Sequence, residues 1–149
     1  MKKYLLIVLF ASLLFSACTP QEQSLQGTWT LTAYGPEGAT KPVAAGSQAS
    51  ITFNEDGTFS GNSGCNGFGG EYEVDGDQIS FRGMISTLMA CTEPIMSQEG
   101  TVFQVLDGTA SYQIEGDALT LSNSGMVLVL TAVPGDSYPS YPSYPSYPQ

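Results

Sequence analysis

Tyr72-Glu-Val-Asp-Gly-Asp-Gln-Ile-Ser-Phe81 and Tyr112-Gln-Ile-Glu-Gly-Asp-Ala-Leu-Thr-Leu121 decide the fold. Each is an apolar/polar alternation, a Gly-centred acidic turn and a second alternation, the pattern of a two-stranded hairpin half-buried on one face. The same grammar extends outward in both directions. Ile51 and Phe53 lead through Glu55-Asp56-Gly57 to a return strand at Phe59. Ser124-Gly125 turns the chain into the apolar run Met126–Leu130. Towards the N-terminus, Trp29, Leu31 and Ala33 alternate with Thr28, Thr30 and Thr32, which places β-branched residues on a wet face. Short strands joined by close Gly turns predict an antiparallel meander or small barrel. Gly35–Gln48, rich in Pro, Gly and Ala, reads as a long loop.

One stretch breaks the pattern. From Thr92 to Asp107, Ile95, Met96, Glu99, Val102, Phe103 and Leu106 recur at three and four residues, Pro94 suits a first turn, and Gly108 closes the segment. A helix with a Met/Phe stripe is expected there, laid on the sheet. The similarity of the two hairpins follows from a shared turn and core constraint more readily than from a duplicated binding unit.

Charge and residue usage exclude several functions. The 149 residues hold 4 Lys+Arg, 14 Asp+Glu and no histidine, a net charge of −10. Phosphate backbones are repelled and no basic patch offsets that, so no nucleic-acid partner is expected. Without histidine, His-based triads and HExxH zinc sites are impossible. The acidic turns lack EF-hand spacing for calcium. Gly61-Asn-Ser-Gly-Cys-Asn-Gly-Phe-Gly-Gly70 lacks the βαβ context and the Gly-Lys-Ser/Thr of a phosphate loop. Its glycines predict a tight, bulged crossing with positive φ angles, and Asn62 and Asn66 suit bonds to nearby backbone. No cofactor, metal or catalytic residue is expected, and Glu71/Glu73, on one strand face, read as solvated carboxylates.

The first residues give an address. Lys2-Lys3 precedes an apolar run from Tyr4 to Phe15, twelve residues long and so too short to span a bilayer. It fits a signal peptide over residues 1–17. Leu14-Phe15-Ser16-Ala17-Cys18 resembles the bacterial lipobox, with Cys18 the lipidated residue and Phe15 where Leu is usual. Removal of residues 1–17 leaves two cations against the same fourteen acids, a net charge of −12. Acyl chains, not electrostatics, would therefore hold the protein at its membrane. Residues 18–24 form a short linker, and Thr19 rather than Asp after the cysteine resembles default outer-membrane sorting in a Gram-negative cell. The expected localisation is the cell envelope.

With Cys18 acylated, Cys65 and Cys91 remain as a pair. An oxidising compartment favours a disulfide, with two buried free thiols or a redox pair as the alternatives.

Trp29-x-Leu31, Ile51-x-Phe53, Ser63-Gly64-Cys65-Asn66-x-Phe68-x-Gly70-x-Tyr72 and Met84-x-Ser86-Thr87-x-Met89-Ala90-Cys91 resemble the META/HslJ family of bacterial envelope proteins. The likeness covers residues 25–133. It implies an incomplete antiparallel β-barrel of about seven to eight strands covered by one α-helix, with no established catalytic residues. It also implies association with the heat-shock response and novobiocin resistance, as in bacterial members, many of them lipoproteins. Beyond it, residues 134–149 carry four Ser-Tyr-Pro units, a low-complexity tail that favours polyproline II. Two functions stay open: contact with an envelope protein partner, or carriage of a small apolar ligand between barrel and helix. Interior volume separates them, because a carrier needs a cavity of about 300 Å³.

Overall fold

The computed structural model describes residues 24–134. The expected signal peptide, Cys18, most of the expected linker and the Ser-Tyr-Pro repeats lie outside the described residues.

The element order is β1 (Gly27–Pro36), β2 (Lys41–Pro42), β3 (Ser50–Phe53), β4 (Thr58–Asn62), β5 (Gly67–Asp75), β6 (Gln78–Ser86), α1 (Ile95–Val105), β7 (Thr109–Glu115), β8 (Ala118–Asn123) and β9 (Met126–Ala132). Every neighbour pairs antiparallel, β3 through β9 in sequence order, and β1 joins β3 on one side and β9 on the other. The ring of eight strands is therefore closed, with β2 a two-residue flap on β1 inside the expected loop. One seam is short. β6 meets β7 over Gln78–Ser80 alone, because the chain leaves β6 to build the helix before it returns.

Inward positions explain the closure. Phe53, Phe59, Ile79, Leu119, Leu121, Leu128 and Leu130 are buried, and Trp29 donates its indole N–H to Leu25 O at 2.7 Å. Aromatic rings fill the centre: Phe53 meets Tyr72 and Phe59 meets Phe81 edge-on, each with centroids 5.1 Å apart. Phe68 meets Phe103 of the helix at 5.7 Å. Such pairs add about 0.5–1.5 kcal/mol each beyond their buried area. Polar residues face outward at Thr30, Glu71, Glu73, Ser111 and Gln113, the reverse of a lipid-exposed barrel.

Three details differ from the expectations. A bulge between Leu31 and Ala33 shifts the phase of β1, so Tyr34 is buried and Ala33 only half-buried. The helix proper runs from Ile95 to Val105, with Pro94 as its N-cap residue and Leu106 as its C-cap, and Glu93 just before it accepts the Ser97 N–H at 3.2 Å. Of the five central glycines only Gly64 takes a positive φ, +102°. Gly61 and Gly70 serve close approach instead: a Cβ would lie 2.3 Å from Ser50 O at Gly61 and 2.7 Å from Arg82 O at Gly70.

Candidate functional site

The site is built where the β4–β5 corner meets the helix. Ser63 and Asn66, at 0% and 2% exposure, face Gln98 and Glu99 on the helix, at 0% and 7%. Four polar side chains this deep require partners. Glu99 Oε2 accepts from Ser63 Oγ at 2.5 Å and from Asn66 N–H at 3.1 Å, while Asn66 Nδ2 lies 3.0 Å from both carboxyl oxygens. Gln98 Oε1 accepts the Ala44 N–H at 2.7 Å, and its amide donates to Ser47 Oγ at 2.8 Å and Ser63 O at 2.7 Å. Gly64 is required in the corner, because a Cβ there would lie 2.2 Å from Ser47 Oγ and 2.6 Å from Gln98 Nε2.

Asn66 carries the network outward. Its Oδ1 accepts from Thr87 Oγ1 at 2.8 Å and Met89 N–H at 2.7 Å, and its Nδ2 donates to Met89 O at 3.0 Å. A few residues on, Cys65 and Cys91 form a disulfide. Residues 87–91 are thus a strap clamped twice onto the corner. Around these clamps the apolar side chains point to solvent: Ile85 is 77% exposed, Leu88 95% and Met89 58%. Gly67, Phe68, Gly69, Ile85, Ser86 and Thr87 border a shallow groove of about 370 Å³ beside the strap.

This arrangement organises a surface. Ser63 is sealed from any substrate, although a nucleophile must touch one. Glu71 lies exposed on β5, and Glu73 pairs with Arg82 at 3.0 Å in open solvent. Asp56 sits in the β3–β4 turn, where hydrogen bonds from the Thr58 hydroxyl and N–H hold its carboxyl below the usual range. Burial raises the Tyr72 phenol, whose O–H donates to Asn54 O at 2.8 Å. Among the described residues no three His, Cys, Asp or Glu side chains converge as a metal would need, and no helix is long and apolar enough to cross a membrane.

Sequence reasoning placed Asn66 on nearby backbone and paired Cys65 with Cys91, and the structure brings both to one corner. It counted Glu99 on the buried stripe without a role and passed over Gln98 entirely. An acid on an apolar helix face is the trace Glu99 leaves in the sequence, and it does not by itself point to the Ser63 and Asn66 corner that the carboxylate satisfies.

A closed antiparallel meander barrel with one crossover helix laid over its end defines a small META-type β-barrel domain. The chain belongs to the META family: the META domain model matches residues 22–134. It is similar to a protein from Burkholderia xenovorans solved by NMR, with 25% identity over 74% of this chain and 83% of that one and a TM-score of 0.61. A second NMR structure is 24% identical over 72% of this chain and 89% of its own, with a TM-score of 0.60. A DUF4847 family protein from Bacteroides vulgatus ATCC 8482 shares the fold at 16% identity, covering 74% of this chain and 95% of that one, with a TM-score of 0.51. No curated protein matches the chain.

Proposed function

We propose that this chain is a lipid-anchored protein of the bacterial envelope, tethered through Cys18, whose META domain supports envelope integrity under stress by contact with another protein. The observation that carries the reading is the exposed trio of Ile85, near the end of β6, and Leu88 and Met89, on the strap clamped beside it. Burying one such side chain is worth about 1.5–3 kcal/mol, and a clamped strap realises that gain against a second surface only. Carriage of a small apolar ligand is less well supported, because the aromatic rings occupy the interior. The apolar space beside them is the open groove next to Ile85, part of the same surface.

The test is photo-crosslinking in the native host, with a photoreactive residue at Leu88 or, as control, at exposed Gln113 on β7. A discrete protein adduct from Leu88 and none from Gln113 is expected. Identical patterns from both positions reject the contact reading, and an apolar mass retained in native mass spectrometry replaces it with carriage. Radiolabelled palmitate tests the tether: label is expected on the native chain and absent from Cys18→Ser.

A further inference from the structure

We propose that the free edge of β6 at Met84–Ser86 is a strand-addition site for an extended, cationic segment of another protein. The inference rests on the contact reading above and specifies its mode. The short β6–β7 seam creates the edge. The Phe81 N–H still reaches Gly108 O at 2.7 Å, but from Arg82 to Ser86 the strand has a neighbour on its β5 side alone. The departing chain does not cover the opening. Thr87 donates to Gly67 O on the β5 side, and Cys91 lies over Cys65, so the strap runs away from the edge.

Main-chain direction alternates along a strand. Thr87 and Ile85 turn their N–H and C=O groups towards β5, so Met84 and Ser86 turn theirs to the open side. Among the described residues no hydrogen bond meets these groups. What complements two outward donors and acceptors at strand spacing is another extended backbone. Ile85 supplies a cross-strand apolar neighbour on the outer face, and half-buried Met84 supplies one towards the inside. An added strand therefore carries apolar side chains near both.

Charge selects among occupants. The chain bears −10, and the opening itself is flanked by exposed Asp107, next to the Gly108 whose O takes the Phe81 N–H, and by exposed Glu71 opposite Arg82, while Arg82 is already paired to Glu73. A second copy brings the same negative field, whereas a cationic segment complements it. The chain's own Ser-Tyr-Pro repeats lack every third N–H and make a poor strand.

The test is an NMR titration of the Cys18→Ser chain with three synthetic peptides. The first is an alternating Val/Thr peptide flanked by lysines, the second its glutamate-flanked counterpart, the third the lysine peptide N-methylated along one edge. The lysine peptide is expected to slow amide exchange at Met84 and Ser86 while β3 stays unchanged. The Ser86→Pro variant should weaken binding about tenfold, the effect of one lost main-chain hydrogen bond, and the N-methylated peptide, which loses the donors to both Met84 O and Ser86 O, by more. The glutamate peptide should bind more weakly still at low salt. Absence of protection at these two amides at about 1 mM peptide, a free energy near −4 kcal/mol, overturns the proposal. So does equal binding of the glutamate peptide, or self-association of the chain through β6. Persistence of the Leu88 crosslink in Ser86→Pro cells sinks strand addition and leaves the contact reading standing. Loss of every Leu88 adduct in the native chain, with the peptide still adding to β6, does the reverse.

Discussion

Glu99 is the residue on which the strap's rigidity turns. Its two oxygens receive Ser63, the Asn66 N–H and the Asn66 amide, and Asn66 in turn holds Thr87 and Met89. In Glu99→Gln either amide orientation sets an NH2 group against Asn66 Nδ2, because that nitrogen lies 3.0 Å from both carboxyl oxygens. Leaving one buried donor without an acceptor costs about 1–3 kcal/mol. Urea denaturation is expected to show that loss, with faster amide exchange at Met89. Unchanged stability together with unchanged Met89 exchange means that the Glu99–Asn66 contact does not hold the strap. The corner was half legible beforehand. Asn66 announces itself through the Gly-Cys-Asn setting, where a short amide naturally bonds to local backbone. Glu99 does not, since a lone acid on an apolar stripe looks the same whether it faces solvent or satisfies a hidden hydroxyl.

At the scale of elements, the hairpins and the crossover helix were legible, and the pairing irregularities were not. Asp75-Gly76-Asp77 and Glu115-Gly116-Asp117 specify their turns locally, and Gly76 and Gly116 take matching φ values of +61° and +64°. The β1 bulge and the short β6–β7 seam arise from pairing with distant strands, which no local pattern encodes. Closure of the ring depends likewise on β1 meeting β9, the two ends of the domain in sequence. The strap shows how two fasteners divide the work. The disulfide closes a separation of 26 residues. On the chain-entropy model such a link is worth about 3–4 kcal/mol. Cys65→Ser/Cys91→Ser is expected to lose roughly that much in denaturant titration. Hydrogen exchange should accelerate at Cys91 and Thr92, released with the bridge, while Met89 keeps its protection through Asn66. Equal acceleration at all three positions means that the disulfide alone carries the strap.

In the whole molecule, a meander sorts its turns onto two ends. The three acidic hairpin turns, with Glu55, Asp56, Asp75, Asp77, Glu115 and Asp117, fall at the end where β1 begins and β9 finishes. Gln26 and Val133 flank those termini, so the proposed lipid tether leaves from the acidic end. The helix, the strap and the open part of β6 occupy the opposite end, along with the Ser124-Gly125 turn. Over the six residues of β8 the rise is about 17 Å, longer than the screening length of about 8 Å at physiological salt. An anionic bilayer should therefore hold off the carboxylate end while the acyl chains retain it, with the apolar surface facing away from the anchoring membrane. Fluorophores placed at Asp117→Cys and Ser124→Cys on the acylated chain, bound to anionic vesicles that carry a headgroup quencher, test the orientation. Stronger quenching at position 117 than at position 124 is expected. Raising the salt should increase quenching at 117 on anionic vesicles, because screening lets the acidic end approach, and should leave neutral vesicles unaffected. Equal quenching at both positions means that the barrel lies on its side. In that case the strap is as close to lipid as the acidic turns are, and the surface around Leu88 faces the bilayer before it can face a protein.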